Sequence, residues 1–300
     1  MKGETRGEAR RRVRSVFVHV NKTAAPPTAG EQIVLDEDNG FAIITRRVVL
    51  GHQLFNRDKP GDRVNWKSTS LPAGSAWIAP AIILADMASG LLSAKEPYDR
   101  WKPQKKREIP LRPLDDHLAA GESELEDFFD RMASLPSFAA ILRGDKVDIW
   151  REFPDPEKNP SAKAHLLMRP LGQLALANAV GFLHNYPAPD GPETDLDLIF
   201  DKIRNADTAG EFDRVDLQKS IWYGVTYDPV KKKMEMSNQA LAAKLLIYLL
   251  GGASSEKREE LLEEFRAKRT LPGSGDELIY LNFDGSEVES EEHIQLPPMW

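Results

Sequence analysis

Any chemistry in this chain must come from a few polar groups set in apolar surroundings. Arg169 and Gln173 stand four residues apart in LLMRPLGQLAL, on one face of a helix whose other positions are apolar. A guanidinium there must pair with a carboxylate or line a polar cavity, and with the amide it suits a phosphate oxygen. Asp86 and Asp130 are the structural carboxylates expected to answer it. Asn21 and Lys22 close an apolar run with an amide and an ammonium, both donors to an oxyanion. The alternative is that Asn21 merely ends a helix before Pro26 and Pro27. Arg46 and Arg47 are expected near a helix end, where the macrodipole favours cations, or facing a hinge to grip a phosphate bidentately. Arg10, Arg11, Arg12 and Arg14 form a basic run suited to DNA phosphates.

Other chemistries lack their residues. The chain has no G-x-x-x-x-G-K-[ST], no G-x-G-x-x-G, no H-E-x-x-H and no serine-centred nucleophile elbow. Its six histidines (His19, His52, His117, His165, His184 and His293) are scattered without metal-ligand spacing, and cysteine is absent. No catalytic residue and no metal site is expected.

The elements that would position these groups follow from periodicity. Ala9, Val13, Val16, Phe17 and Val20 make one helical stripe, although Val16, Val18 and Val20 also suit a strand. Pro26 and Pro27 stop it, and Thr28 with Glu31 makes a capping box for the next helix. Asp36 to Asn39 marks a second break before FAIITRRVVL. Further on, the pattern predicts helices over 75–93, 122–133, 137–142, 196–205, 238–250 and 255–268. Helix is also predicted across 162–186, with a restart at Pro170. Ser123 and Glu126 form a second capping box. Val64 to Leu71 reads as extended and Leu278 to Phe283 as a strand. The stretch from Lys95 to Leu114, with Lys102, Lys105, Lys106 and Arg107, reads as a solvated linker. The inventory is mainly α, a multi-helix body with few short strands.

Composition sets the outer bounds. A hydrophobic fraction of 41% with 29% charged residues is that of an ordinary globular protein, in one large or two medium domains. No apolar run approaches the ~20 residues that span a bilayer, and no signal-peptide pattern is evident, so a cytoplasmic location without membrane contact is expected. The net charge of −7 argues against a general nucleic-acid coat. Charge is uneven, however: Lys2 to Arg14 is basic, whereas Asp284 to Trp300 carries five acids and no lysine or arginine. A local basic patch is permitted.

Against this background, VFVHVNKTAAPPTAGEQIVLDEDNGFAIITRRVV resembles the segment that follows the DGQHR motif in DGQHR-domain proteins, the family of DndB-like DNA sulfur modification proteins. That segment reads as an aromatic, a spacer, Asn, a basic residue, a small-residue-Pro turn, an acidic stretch and an Arg-containing helix. Here these are Phe17, Asn21, Lys22, Ala25-Pro26, Asp36 to Asp38 and Arg46-Arg47. Weaker resemblance continues through VNWKSTSLPAGSAWIAPAIILADMASGLL, HLLMRPLGQLALANAVGFL and IWYGVTYDPVKKKMEMSNQALAAKLLIYLLGG, to about Gly252. The DGQHR motif itself does not occur; Asp284-Gly285 is followed by Ser-Glu-Val.

In the family that motif lies upstream, in a lobe resembling the ParB/sulfiredoxin fold, and is tied to nucleotide hydrolysis. The resemblance implies a helical body like the C-terminal part of these proteins, lacking most of that lobe. It divides the chain into a lobe remnant (1–55), a helical body (56–252) and a charged helix with a possible strand and acidic tail (253–300). It implies an accessory or regulatory DNA-associated role in a DNA modification locus of the phosphorothioation type, or a phage-defence locus. One alternative is half of a split nucleotide-hydrolysing enzyme, completed by a protein partner that carries the missing lobe; only then is a nucleotide cofactor expected. The other is a helical scaffold that binds neither nucleotide nor DNA. On either course the stripe Val13, Val16, Phe17 and Val20 must be covered, by the chain's own helices or by that partner.

Overall fold

The computed structural model describes residues 28–101, 111–186, 195–231, 233–273 and 277–300. The arginine run at 10–14, the apolar stripe, Asn21, Lys22 and the basic residues from Lys102 to Arg107 lie outside them.

Thr28 and Glu31 make the capping box their spacing predicts: Glu31 N–H donates to Thr28 Oγ1 at 3.3 Å, and Thr28 N–H to Glu31 Oε2 at 2.8 Å. They open α1 (Ala29–Leu35). Asn39 caps α2 (Gly40–Gly51) by accepting from the N–H groups of Phe41 and Ala42. Val64–Asn65 (β1) and Ala79–Pro80 (β2) pair in parallel, and α3 (Ala81–Leu92) follows at once. The helix predicted from Ser75 thus begins late. Ile78 N–H donates to Arg63 O at 2.7 Å and holds this segment extended up to Pro80, which becomes the N-cap. The extended run predicted over 64–71 shrinks to β1 for lack of a longer partner.

Tyr98–Trp101 forms a 3₁₀ turn whose two aromatics are buried, so the expected linker starts inside the core. The helix α4 (Asp115–Ala133) starts well before the Ser123-Glu126 box, which falls in its middle; good helix formers such as Ala119 and Ala120 carry the helix through. Then come α5 (Pro136–Leu142), α6 (Val147–Arg151) and α7 (Pro170–Asn185), with Pro170 at the first helical position as predicted. Next, α8 (Leu196–Ala209) ends on left-handed Gly210, φ 80°. A small antiparallel pair, β3 (Tyr227–Asp228) and β4 (Lys233–Met234), precedes α9 (Gln239–Leu249) and α10 (Ser255–Arg269). The chain closes with β5 (Thr270–Pro272), β6 (Leu278–Leu281) and β7 (Glu287–Val288), an antiparallel sheet in that order.

The protein is mainly helical with few short strands. Its centre is α7, apolar on nearly every side and buried from Leu171 to Leu183 except for the half-buried Asn178 and Phe182, as such a helix must be. It packs between α3 and α9. A single hydrophobic cluster runs from Phe41 to Ile294, crossing both divisions expected at 55/56 and 252/253. No helix among the described residues is long and apolar enough to cross a membrane.

Candidate functional site

Between the turn that precedes β1 and the turn from α5 into α6 lies a cavity of about 360 Å³. The first turn is built by its own side chains. Asp62 accepts from the backbone N–H groups of Arg57, Asp58 and Lys59 at 2.8, 3.0 and 3.2 Å, and Asn56 Oδ1 accepts from Gly61 N–H at 2.5 Å. Partial burial would raise the Asp62 pKa, but those amides outweigh it and hold the carboxyl below its ordinary range. Asp62 is therefore occupied before any ligand arrives.

Arg63 follows it into the wall of the cavity. Only 7% exposed, it has two long hydrogen bonds, to the carbonyls of Leu54 and Ile141 at 3.4 Å each. Among the described residues no carboxylate lies within 4 Å of its guanidinium. Burial depresses its pKa, and the attraction of Asp62 only partly compensates. Arg57 and Lys146 add positive charge to the lining. The remaining lining acids are engaged: Asp145 accepts from Trp150 Nε1 at 3.2 Å, and Asp148 from Ile149 N–H at 3.0 Å. The formal charges balance; Arg57 is paired with Asp58 at 2.8 Å, which leaves Arg63 and Lys146 as the lining cations with no carboxylate within 4 Å among the described residues.

The opposite wall, at Ser75, is fixed from behind by a second guanidinium. Arg151 is fully buried; its Nη1 donates to Ser75 Oγ at 2.9 Å and Ser75 O at 3.3 Å, its Nε to Met168 O at 3.2 Å, and its Nη2 to Trp77 O. Arg169 donates to Arg151 O at 2.8 Å and faces Glu152 at 3.6 Å. Glu152, rather than the expected Asp86 or Asp130, is thus its carboxylate; Asp130 instead meets His52 Nε2 at 3.1 Å. Arg214 completes the cluster, with Nε on Ala164 O at 2.8 Å, Nη1 on Met234 Sδ at 2.6 Å, and its guanidinium 5.3 Å from the Phe153 ring centre. Arg169 Nε and Arg214 Nη2 are buried without partners. Burial, reinforced by the charge of Arg169, pushes Arg151 down to about 10 and Arg214 down to about 9. Both values keep the groups charged at neutral pH. Glu152 acts on both Arg151 and Arg169, and Asp148 on Arg151 as well, whereas Arg214 feels the repulsion of Arg169.

The other sequence-derived residues are placed as follows. Gln173 donates to Ile78 O at 3.0 Å, leaving Oε1 buried without a partner. Arg46 lies in the middle of α2 rather than near its end and clamps the end of α1, donating to the carbonyls of Ile33, Val34 and Asp36 and pairing with Glu37 at 2.7 Å. Arg47 ties α2 to Glu122 of α4 at 3.3 Å. Arg169 is therefore one guanidinium behind the cavity wall, whereas Arg46 and Arg47 hold helices together. Asn21, Lys22, Arg10, Arg11, Arg12 and Arg14 lie outside the described residues. Sequence reasoning missed Arg63, Arg151 and Arg214. Their only signal is a basic residue abutting apolar ones (RVNW, DIWR), which many surface arginines share.

Among the described residues no group of three or more His, Asp or Glu side chains is disposed to hold a metal. Comparison with protein-family models, with curated proteins and with solved structures found no match to this chain.

Proposed function

We propose that this chain is an accessory, DNA-associated protein that binds phosphate groups at Arg63, serving a DNA modification or phage-defence locus in the DndB-like manner its resemblance implies. The observation that carries the binding half is the Arg63 guanidinium, buried on a cavity wall with no carboxylate within 4 Å among the described residues. Asp62 compensates the burial of this charge only in part, and an arriving anion offsets the remainder. Phosphate oxygens match the planar fork, and Arg57 and Lys146 stand beside it. The DNA half rests on the resemblance and on the Arg10 to Arg14 run.

A free nucleotide is the second reading, favoured by the cavity's size, which falls in the range of small-molecule sites. In that case a partner carrying the DGQHR lobe completes the site.

Titration calorimetry with pyrophosphate, and anisotropy with a labelled 12-base-pair duplex at several salt concentrations, test the proposal. Arg63→Gln should weaken pyrophosphate binding at least about tenfold, as expected for losing a charge-assisted hydrogen bond of ~1.5–3 kcal/mol. Arg63→Lys should recover part of it. Equal affinity of Arg63→Gln and the parent would show that the cavity is not the site.

A further inference from the structure

The walls of the Arg63 cavity carry charges of both signs, and what each is already bonded to limits what can enter. Of the lining cations, Arg63 and Lys146 have no carboxylate within 4 Å among the described residues, whereas Arg57 is paired with Asp58. Lys146 is exposed at the N-cap of α6, and Arg63 is 7% exposed. A ligand that meets both must bring its anionic group inside the cavity. Two cations match a phosphate monoester, with about −1.5 to −2 charges at pH 7, better than a singly charged phosphodiester. Ser75 adds a neutral donor: its Oγ accepts from Arg151 Nη1 at 2.9 Å, which leaves the hydroxyl hydrogen to donate to an oxyanion.

The lining carboxylates bear on the rest of the ligand. Asp145 accepts from Trp150 Nε1 through Oδ2, and Asp148 from Ile149 N–H through Oδ1, so each has a second oxygen with which to accept. Such groups repel further phosphates, which disfavours a polyanion threaded through the cavity. They suit hydroxyl groups, which donate to a carboxylate in a charge-assisted hydrogen bond. No aromatic ring is among the described residues that line the cavity, so a nucleobase finds no stacking face there. At about 360 Å³ the space lies toward the small end of small-molecule sites.

We infer that the cavity binds a small hydroxylated phosphate monoester of the sugar-phosphate class, its phosphate on Arg63, Lys146 and Ser75 and its hydroxyls on Asp145 and Asp148. This rests on the Arg63 phosphate reading above; the DNA half of that reading rests on other residues. A free sugar phosphate and the ribose phosphate of a nucleotide share this chemistry.

Titration calorimetry of the full chain tests it with four probes: pyrophosphate, ribose 5-phosphate, adenosine 5′-monophosphate, and butyl phosphate, a monoester without hydroxyls. The parent should bind ribose 5-phosphate about tenfold or more tighter than butyl phosphate, the scale of one hydrogen bond to a charged group. Asp145→Asn and Asp148→Asn should each shrink that preference while binding pyrophosphate as tightly as the parent or more so, since each removes a repelling charge. Opposite movement of the two probes is not what loss of fold produces, and thermal melting of each variant checks this. Adenosine monophosphate binding no tighter than ribose 5-phosphate assigns the site to a free sugar phosphate; markedly tighter binding assigns it to a nucleotide. Equal affinity of the parent for ribose 5-phosphate and butyl phosphate overturns the inference and leaves the Arg63 site intact. An unchanged preference in both aspartate variants does the same, as does a parallel loss of pyrophosphate and ribose 5-phosphate binding in them. If pyrophosphate itself does not bind the parent, it is the Arg63 reading that fails.

Discussion

At the scale of single residues, the buried arginines do different jobs according to what they touch. Arg269 is fully buried and donates to five backbone carbonyls, those of Gln218, Ser220, Tyr223, Leu281 and Asn282, joining the loop before β3 to the sheet after α10. Replacing it with Met strands those acceptors, at roughly 1–3 kcal/mol for each one that water cannot reach. Arg269→Met should therefore lower the melting temperature steeply. Arg214 has one carbonyl and a thioether, leaves Nη2 unmatched and carries a charge that burial disfavours. Arg214→Met should melt at or above the parent temperature, because an apolar replacement of a poorly compensated buried charge is often neutral or stabilising. Comparable losses in both variants would contradict this distinction.

Two carboxylates near His165 give a similar contrast with pH. Burial alone would raise Asp207, but hydrogen bonds from His165 Nε2 (2.7 Å) and Ser137 N–H (2.9 Å) bring it below its ordinary 3.8. Its contribution is present above pH 3.8 and is lost as pH falls through the lower folded pKa. Asp213 is raised, chiefly by burial, so its ionised form opposes folding at neutral pH and the penalty fades as pH falls through the raised folded pKa. Denaturant melts at pH 7 should thus find Asp207→Asn destabilised and Asp213→Asn stabilised; the same sign for both would be incompatible with this account. None of these pairings was legible in the sequence, since Arg151 reaches Ser75 and His165 reaches Asp207 across 76 and 42 residues. Arg169 and Gln173 were legible as polar groups in an apolar run, although Arg169 is the extended N-cap of α7 rather than a residue on the same helical face as Gln173. Their partners, on other segments, were not.

At the scale of elements, what the sequence announces and what it hides divide along the same line. The Thr28-Glu31 box, Pro170 at the start of α7, and the starts of α9 and α10 are local, and each falls where its residues predict. The late start of α3 and the irrelevance of Ser123 to α4 are tertiary, imposed by the pairing of β1 with β2 and by the continuity of α4. Close packing of α3 on α7 is set by glycines: a Cβ on Gly181 would fall 2.5 Å from Gly90 O and 2.8 Å from Leu91 Cα, and one on Gly90 would fall 2.2 Å from Asn178 Oδ1. Alanine at 181 gains ~1 kcal/mol of helix propensity, yet must push the helices apart, an overpacking that costs typically 1–3 kcal/mol or more. Gly181→Ala should consequently lower the melting temperature, whereas Gly51→Ala, with open space around it, should raise it slightly. A stabilised Gly181→Ala would mean that the two helices are not in backbone contact.

At the scale of the whole molecule, the last residues act as a clasp on the helical body. Trp300 N–H donates to Leu249 O at 2.9 Å, the Tyr248 hydroxyl to Pro297 O at 3.0 Å, and Arg266 to the carbonyls of Ile294 and Glu292 at 3.2 and 2.7 Å. Ile294 is fully buried, and the Trp300 ring meets Phe212 edge-on at 5.2 Å. Phe212 in turn accepts from Leu166 N–H at 2.8 Å and packs on His165, so the clasp reaches the segment that carries Arg169. Ile294 fully buried at ~1.5–3 kcal/mol, the half-buried Trp300 and the backbone hydrogen bonds they cover amount to an appreciable share of the ~5–15 kcal/mol that keeps a domain folded. A chain ending at His293 should therefore melt markedly lower, in a single transition that includes the central α7. If residues 253–300, the last of the three divisions expected from the sequence, were instead an independent segment, the truncated chain would keep the parent's main transition unchanged. Calorimetric melting of the two chains separates these outcomes, because a tail coupled to the common core shifts the whole peak and an independent one removes only a shoulder.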